Sequence, residues 1–442
     1  MQQLNKFKKI EFEEIPKEWS YKKIGELLDE KIILGLQDGN HGELHPKLID
    51  FIEKGIPFLT ANCITNNRIS FDKCKYLSDR WLKKLRIGFA RENDIILTHK
   101  GTLGLCAIVP SGIKNIILSP QTTYYRLSPK ICSIFLFYFF QSKIFQNQLF
   151  SLGRQSTRDY VGINSQKSLN IVLPLLSEQQ KIASILSNID ELIQKTEQII
   201  ETSQKFKRGL MQRLLTKGIG HIKFKKVKWH YGKILEIPYE WELINISQIL
   251  LKIKRGPSLS TNVKEDGVIY LTSDYITDEG ILKFNNLKFL SLKLIDGIDK
   301  YIINKSNVIL NCVNSLEQIG KVAIFEGYPK EVIVGFNNFA LELKSIIDPH
   351  YIKYFFLSEL SQYFFKSLSK PAVHQVSFSS KDLLKMDIPF PPFKEQQKIA
   401  SILSNIDELI QFKKSVNNNL KHIKKSLMQQ LLTGKIRVKI NR

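Results

Sequence analysis

The sequence predicts an α+β protein: two globular domains of mixed α/β content, each followed by a long amphipathic helix, arranged as a tandem repeat. Three observations carry this. The string EQQKIASILSNIDELIQ occurs twice without a mismatch, at Glu178–Gln194 and at Glu395–Gln411, an offset of 217. Apolar residues in and beyond each copy recur at steps of three and four, the period of a helix seam. The segments before each copy read instead as short β-rich runs, turns and aromatic stretches.

The repeat extends beyond that string. At the same offset LMQRLLT (Leu210–Thr216) returns as LMQQLLT (Leu427–Thr433), which closes a duplicated block of 39 residues. Upstream, IPKEW (Ile15–Trp19) matches IPYEW (Ile237–Trp241), LTANCIT (Leu59–Thr65) matches LTSDYIT (Leu271–Thr277), and KYLS (Lys75–Ser78) matches KFLS (Lys288–Ser291). NDIIL (Asn93–Leu97) pairs with SNVIL (Ser306–Leu310), and Leu136–Ser142 shares its YFF core with Ile352–Ser358. A variable region therefore precedes a nearly fixed block in each half.

In the fixed block the expected helix-pair seam is Ile182, Ile185, Ile189, Leu192, Ile199, Phe206 and Leu210, repeated as Ile399, Ile402, Ile406, Leu409, Val416, Leu420, Ile423 and Leu427. A helix of that length runs about 58 Å, too long to pack inside either variable region. The two helices are expected to pack on each other, the alternative being that each packs only on its own globular region. Pro174 and the run Pro389–Pro392 precede the helices and mark boundaries, since proline cannot continue a helix backward. The domains are expected at 1–176 and 235–393, the helices at 177–216 and 394–433, with a linker at 217–234 and a tail at 434–442.

Within the variable regions, Asp94–Val109 and Asn307–Phe325 read as hairpin-like units around glycine-containing turns. The aromatic stretches Ile134–Phe150 and Tyr351–Phe365 have helical spacing and read as core helices rather than stacking platforms.

The 442 residues carry a formal charge of +23, which makes a polyanion the first partner to consider. No apolar run reaches the length of a membrane span, so no membrane role is expected. The opening MQQLNKFKKIEFEE has no apolar signal core, so a cytoplasmic location is expected. Five widely spaced cysteines, Cys63, Cys74, Cys106, Cys132 and Cys312, form no CxxC pair and read as reduced core thiols.

There is no Walker loop, no GxGxxG and no Asn-Pro-Pro-aromatic or Asp-Pro-Pro-aromatic run of an adenine methyltransferase, so no catalytic residues, no cofactor and no metal are expected on this chain. His41 and His45 are interrupted by Gly42 and flanked by Gly39 and Pro46, which reads as a loop rather than a metal-binding helix.

The prolines before the block, EQQKIASILSNIDELI twice, LMQ-x-LLT twice, LLTGKIRV near the C-terminus and IP-x-EW at each head resemble the specificity subunits of type I restriction-modification systems over essentially the whole chain. The resemblance implies two target-recognition domains separated by two long antiparallel coiled-coil helices with pseudo-two-fold symmetry. It implies double-stranded DNA as ligand, read as an asymmetric bipartite site with one half-site per domain. Two modification (methyltransferase) subunits would dock on the conserved helices, with restriction (endonuclease/translocase) subunits joining them. S-adenosylmethionine, ATP and Mg are expected on those partners. The alternatives are a coiled-coil interaction scaffold without DNA binding, and the specificity subunit of a fused methyltransferase-nuclease system.

Base-edge contacts come from polar side chains on exposed loops. In the first domain the expected readers are Arg154, Gln155, Ser156 and Arg158, with His99 and Lys100 at the hairpin tip. In the second they are Lys370, His374 and Gln375, with Asn314 and Ser315 in the hairpin loop. Thr60 and Asn62, matched by Thr272 and Asp274, complete the set.

Overall fold

The computed structural model describes residues 7–11, 13–40, 44–154, 159–259, 267–291, 297–371 and 375–440. It divides into two units: residues 1–197 with 415–442, and residues 198–414. The division falls inside the two long helices, Leu176–Lys217 and Phe393–Leu431, so each unit holds part of both.

In the first unit a four-stranded antiparallel sheet runs Thr102–Ile108, Ile95–Lys100, Thr122–Leu127, Ile33–Asp38. A five-stranded sheet includes the parallel pair Ile56–Leu59 and Ile116–Leu118. Asn170–Leu173 pairs with Ser20–Lys23 and delivers the chain into the central helix. The aromatic helices Ser133–Phe140 and Lys143–Gly153 pack on the first sheet, with Phe135, Phe139, Phe140 and Phe145 fully buried. Ile182, Ala183 and Leu186 of the central helix and Leu431 and Leu432 of the distal one join the same core.

The second unit repeats this plan. Its four-stranded sheet runs Val322–Ile324, Val308–Asn311, Asn338–Leu343, Leu250–Arg255. Val268–Leu271 and Val332–Val334 form the parallel pair, and Glu242–Asn245 pairs with Asp387–Phe390. Met211, Leu214 and Leu215 of the central helix share its core with Ile399, Ala400 and Leu403 of the distal helix.

Within each unit the helices run antiparallel. In the first, Asp190 meets Lys424 while Glu197 meets Lys421 and Asn417. In the second, Lys207 meets Asp407 and the segment after the central helix meets Glu395. The helices therefore pack both on each other and on the globular cores.

Two expectations need correction. The buried stripe is rotated from the expected seam: Leu186, Ile193, Leu403 and Ile410 are buried, whereas Leu192, Ile199, Phe206, Ile402, Leu409 and Ile423 are exposed. Ile182, Ile189 and Ile399 are buried as expected, and Ile185, Leu210, Ile406, Val416, Leu420 and Leu427 are half-buried. A three-four pattern fits two adjacent stripes when both are apolar, and packing on the globular cores selects the one that includes Leu186 and Leu403.

The segment 217–234 is not a linker. Phe224–Lys228 pairs with Ile234–Pro238, and the buried Trp229 donates its indole N–H to the Asp387 carbonyl at 2.8 Å. Residues 435–438 of the expected tail are likewise built in, with Val438 packed on the first unit's core.

Candidate nucleic-acid interface

The repeated motifs form a clamp in each unit. In the first, the buried Trp19 of IPKEW donates its indole N–H to Glu178 at 3.2 Å. Arg437 grips the same carboxylate at 2.7 Å and bonds Glu18 at 2.8 Å. In the second, Trp241 of IPYEW donates to Glu395 at 3.0 Å, and His221 lies 2.9 Å from Glu395 and 3.2 Å from Glu240. The glutamate of EQQ therefore receives the Trp of its own domain and a basic side chain from the segment after the other helix.

The following glutamine fixes the helix start. Gln179 donates to the Pro174 carbonyl and accepts from the Cys132 N–H, and Gln396 does the same with Pro391 and Asp348.

A second paired contact lies one helical stretch on. Asp190 accepts from the Tyr138 hydroxyl at 2.7 Å and pairs with Lys424 at 2.7 Å. Asp407 accepts from Tyr354 at 2.8 Å and pairs with Lys207 at 2.5 Å. Burial raises both phenols, and the neighbouring aspartate adds to the shift. Apolar period does not mark these residues; their signal in the sequence is identity between the copies.

The expected readers fall into clusters. In the first unit the turn Lys100–Gly101–Thr102 meets the segment after Arg154: Lys100 bridges Tyr160, and the Gly101 N–H bonds the Asp159 carbonyl. Lys100 and Arg154 are exposed there; Gln155, Ser156 and Arg158 lie outside the described residues. In the second unit the Val313–Asn314 strand pairs with Val376–Ser377, which pairs with Lys370–Pro371, so the two expected loops meet again. Lys370 and Gln375 are exposed, and His374 lies outside the described residues.

His99 requires correction. It sits in the central strand of the four-stranded sheet, is fully buried, and its Nδ1 lies 3.1 Å from the Val161 carbonyl. The strand is buried from Ile95 to His99, so the ring lies inside the sheet and not at an exposed tip.

Asn314 is half-buried and engaged within its turn, with Asn311 and with the N–H of Ser315, which is itself half-buried. Thr60 contacts the Cys63 sulfur at 3.4 Å, and Asn62 is exposed. Asp274 is exposed and paired with Lys288 at 2.8 Å, whereas the Thr272 hydroxyl is buried without a partner among the described residues.

The family model for the type I restriction modification DNA specificity domain matches residues 16–202 and again 238–422. The chain belongs to this family, and it is a specificity subunit of the type I restriction-modification kind with two recognition domains. It is 30% identical over 356 residues to the type I restriction enzyme MjaVIII specificity subunit of Methanocaldococcus jannaschii, covering 79% of this chain and 80% of that one. It is 26% identical to the MjaIX specificity subunit of the same organism, covering 98% and 96%. The type I restriction-modification S subunit from M. genitalium shares the fold, with a TM-score of 0.56 at 16% identity over 96% of this chain and 97% of that one.

Proposed function

We propose that the chain reads an asymmetric bipartite site on double-stranded DNA, one half-site per recognition domain, and is itself non-catalytic. The observation that carries this is the pairing of one frame with two surfaces: the Trp–Glu and Tyr–Asp–Lys contacts recur in both units, while the exposed loop clusters differ. In the first domain the cluster holds Lys100 and Arg154, in the second Lys370 and Gln375. Matched frames with unlike readers suit half-sites of unlike sequence.

Modification subunits dock, in this reading, on the conserved helices, with restriction subunits joining the complex in the cytoplasm. Exposed apolar residues spaced by seven residues or a multiple of seven support it: Leu192, Ile199 and Phe206 on one helix, Ile402, Leu409 and Ile423 on the other. S-adenosylmethionine, ATP and magnesium belong to those partners.

The test is sequencing of methylated adenine in host DNA with and without this chain. A two-part motif that depends on the chain is expected. Replacing Lys100 and Arg154 by alanine should relax or weaken only one half of it, and an unchanged motif would remove those residues from the interface. Phe206→Asp and Leu409→Asp together should abolish co-purification with the modification subunit while the melting temperature holds, because both side chains are exposed.

A further inference from the structure

The Leu250–Arg255 strand ends at a point without slack. The chain leaves it through Gly256, where a Cβ would lie 1.8 Å from the Val334 carbonyl oxygen, and Gly335 opposite would place one 2.3 Å from that of Leu271. The Tyr270 hydroxyl ties the two sides together: it donates to the Pro257 carbonyl and accepts from the Phe336 N–H, each at 2.8 Å.

On this frame the Arg255 guanidinium stacks 4.1 Å from the ring centre of Phe336, and its Nε donates to the Phe336 carbonyl at 2.8 Å. Those contacts use the flat face and the inner nitrogen. Among the described residues the two terminal nitrogens make no hydrogen bond or ion pair. Phe336 is 37% exposed, so the pair lies at the surface. Beside it is a cavity of about 220 Å³ lined in part by Ser258, Thr272 and Asn337.

The first unit has the same frame with different chemistry. Gly39, 217 residues earlier, is equally tight, with a Cβ 2.0 Å from the Leu118 carbonyl oxygen. The residue before it is Asp38, which is buried at the end of its own strand. A guanidinium in one domain thus stands where the other has a carboxylate.

A guanidinium held by its face and its inner nitrogen presents two parallel donors at fixed orientation. That edge matches O6 and N7 of guanine in the major groove. We propose that Arg255 reads a guanine in the half-site of the second recognition domain, with Phe336 setting the guanidinium plane and the Thr272 cavity taking the edge of the adjacent base. The assignment rests on the bipartite-site reading above. It also explains why an exposed ring and a cation are held in so rigid a frame: preorganised donors lose little freedom on binding.

The experiment is methyladenine sequencing of host DNA carrying the chain with its modification subunits, wild type against Arg255→Ala, Arg255→Gln and Arg255→Lys. With alanine, guanine preference at one position of one half-site should fall about ten-fold or more, the size of one bidentate base contact, while the other half-site keeps its bases. With glutamine the preference at that position should move toward adenine, whose N6 and N7 suit an amide. An unchanged motif overturns the proposal. So does a uniform loss of methylation with base preferences intact, the signature of a phosphate contact or of a purely structural role. Should alanine prevent folding, lysine decides: it keeps the charge but one donor direction, so guanine preference must weaken, and full retention refutes the assignment. A wild-type complex with no two-part motif fails the underlying functional reading instead, and the Arg255 proposal falls with it.

Discussion

The two units hold their helices with the same contacts but not with the same chemistry. In the first, the clamp cation on Glu178 is Arg437, charged at any working pH; in the second, the group on Glu395 is His221, which gains its charge only by protonation. The turn that reaches each helix differs too. Arg68 donates to Gln194 at 2.8 Å in the first unit, while Glu279 pairs with Lys414 at 2.7 Å in the second. Geometry is shared where helices must be gripped, and side-chain chemistry is free to drift where any donor and acceptor of the right reach will serve.

The largest expected effect tests the shared part. Trp19→Ala and Trp241→Ala should each cost about 3–5 kcal/mol, because each removes a buried indole from its core and leaves a carboxylate short of a donor. Denaturant titration of both variants measures it. A large cost at one tryptophan and a negligible one at the other would break the equivalence of the clamps.

Next in size are Asp190→Ala and Asp407→Ala. Each strands a lysine with 13–17% of its side chain exposed and removes a tyrosine's acceptor. A loss of about 1–3 kcal/mol is expected, below that of a fully buried pair because water still reaches these groups. Lys207→Met with Asp407→Leu should recover most of it. Failure of the double variant to exceed the single one would mean that desolvation of the lysine is not the cause.

The smallest effect separates the units by pH. Glu279 is held below the usual carboxylate range, first by its hydrogen bond to Lys414. A depressed carboxylate stabilises the folded state above its unfolded pKa, and that contribution is lost as pH falls through the lower folded value. Protection against hydrogen exchange around residues 277–281, corrected for the intrinsic pH dependence of amide exchange, should therefore fall between about pH 5 and 3, and Glu279→Gln should remove that dependence. Gln194 does not titrate, and Glu197, the carboxylate that also feels Arg68, is held down mainly by Lys421, so protection around residues 65–68 should change less. Parallel acid responses in both turns would contradict the contrast.

Much of the architecture is legible in the sequence. The exact recurrence of EQQKIASILSNIDELIQ announced a duplicated block, and its three-four apolar period announced long helices, because both are properties of the chain alone. The hairpin of Asp94–Val109 and the aromatic core helices were read the same way. The seam was misplaced by one helical position, since Leu192 and Ile193 are both apolar and periodicity does not choose between neighbouring stripes. His99 was misjudged because a tip residue and a buried central-strand residue look alike in one dimension.

By itself, then, the amino-acid order determined the repeat, the helix lengths and the unlike loops, which depend on local pattern and residue identity. Only the folded chain decided which apolar stripe is covered, that Glu178 meets Arg437 across 259 positions, and that Arg255 stands on the same glycine frame as Asp38. These are contacts between residues far apart in the chain. Their partners are selected by packing against a shared core, and no window of sequence contains both sides of such a contact.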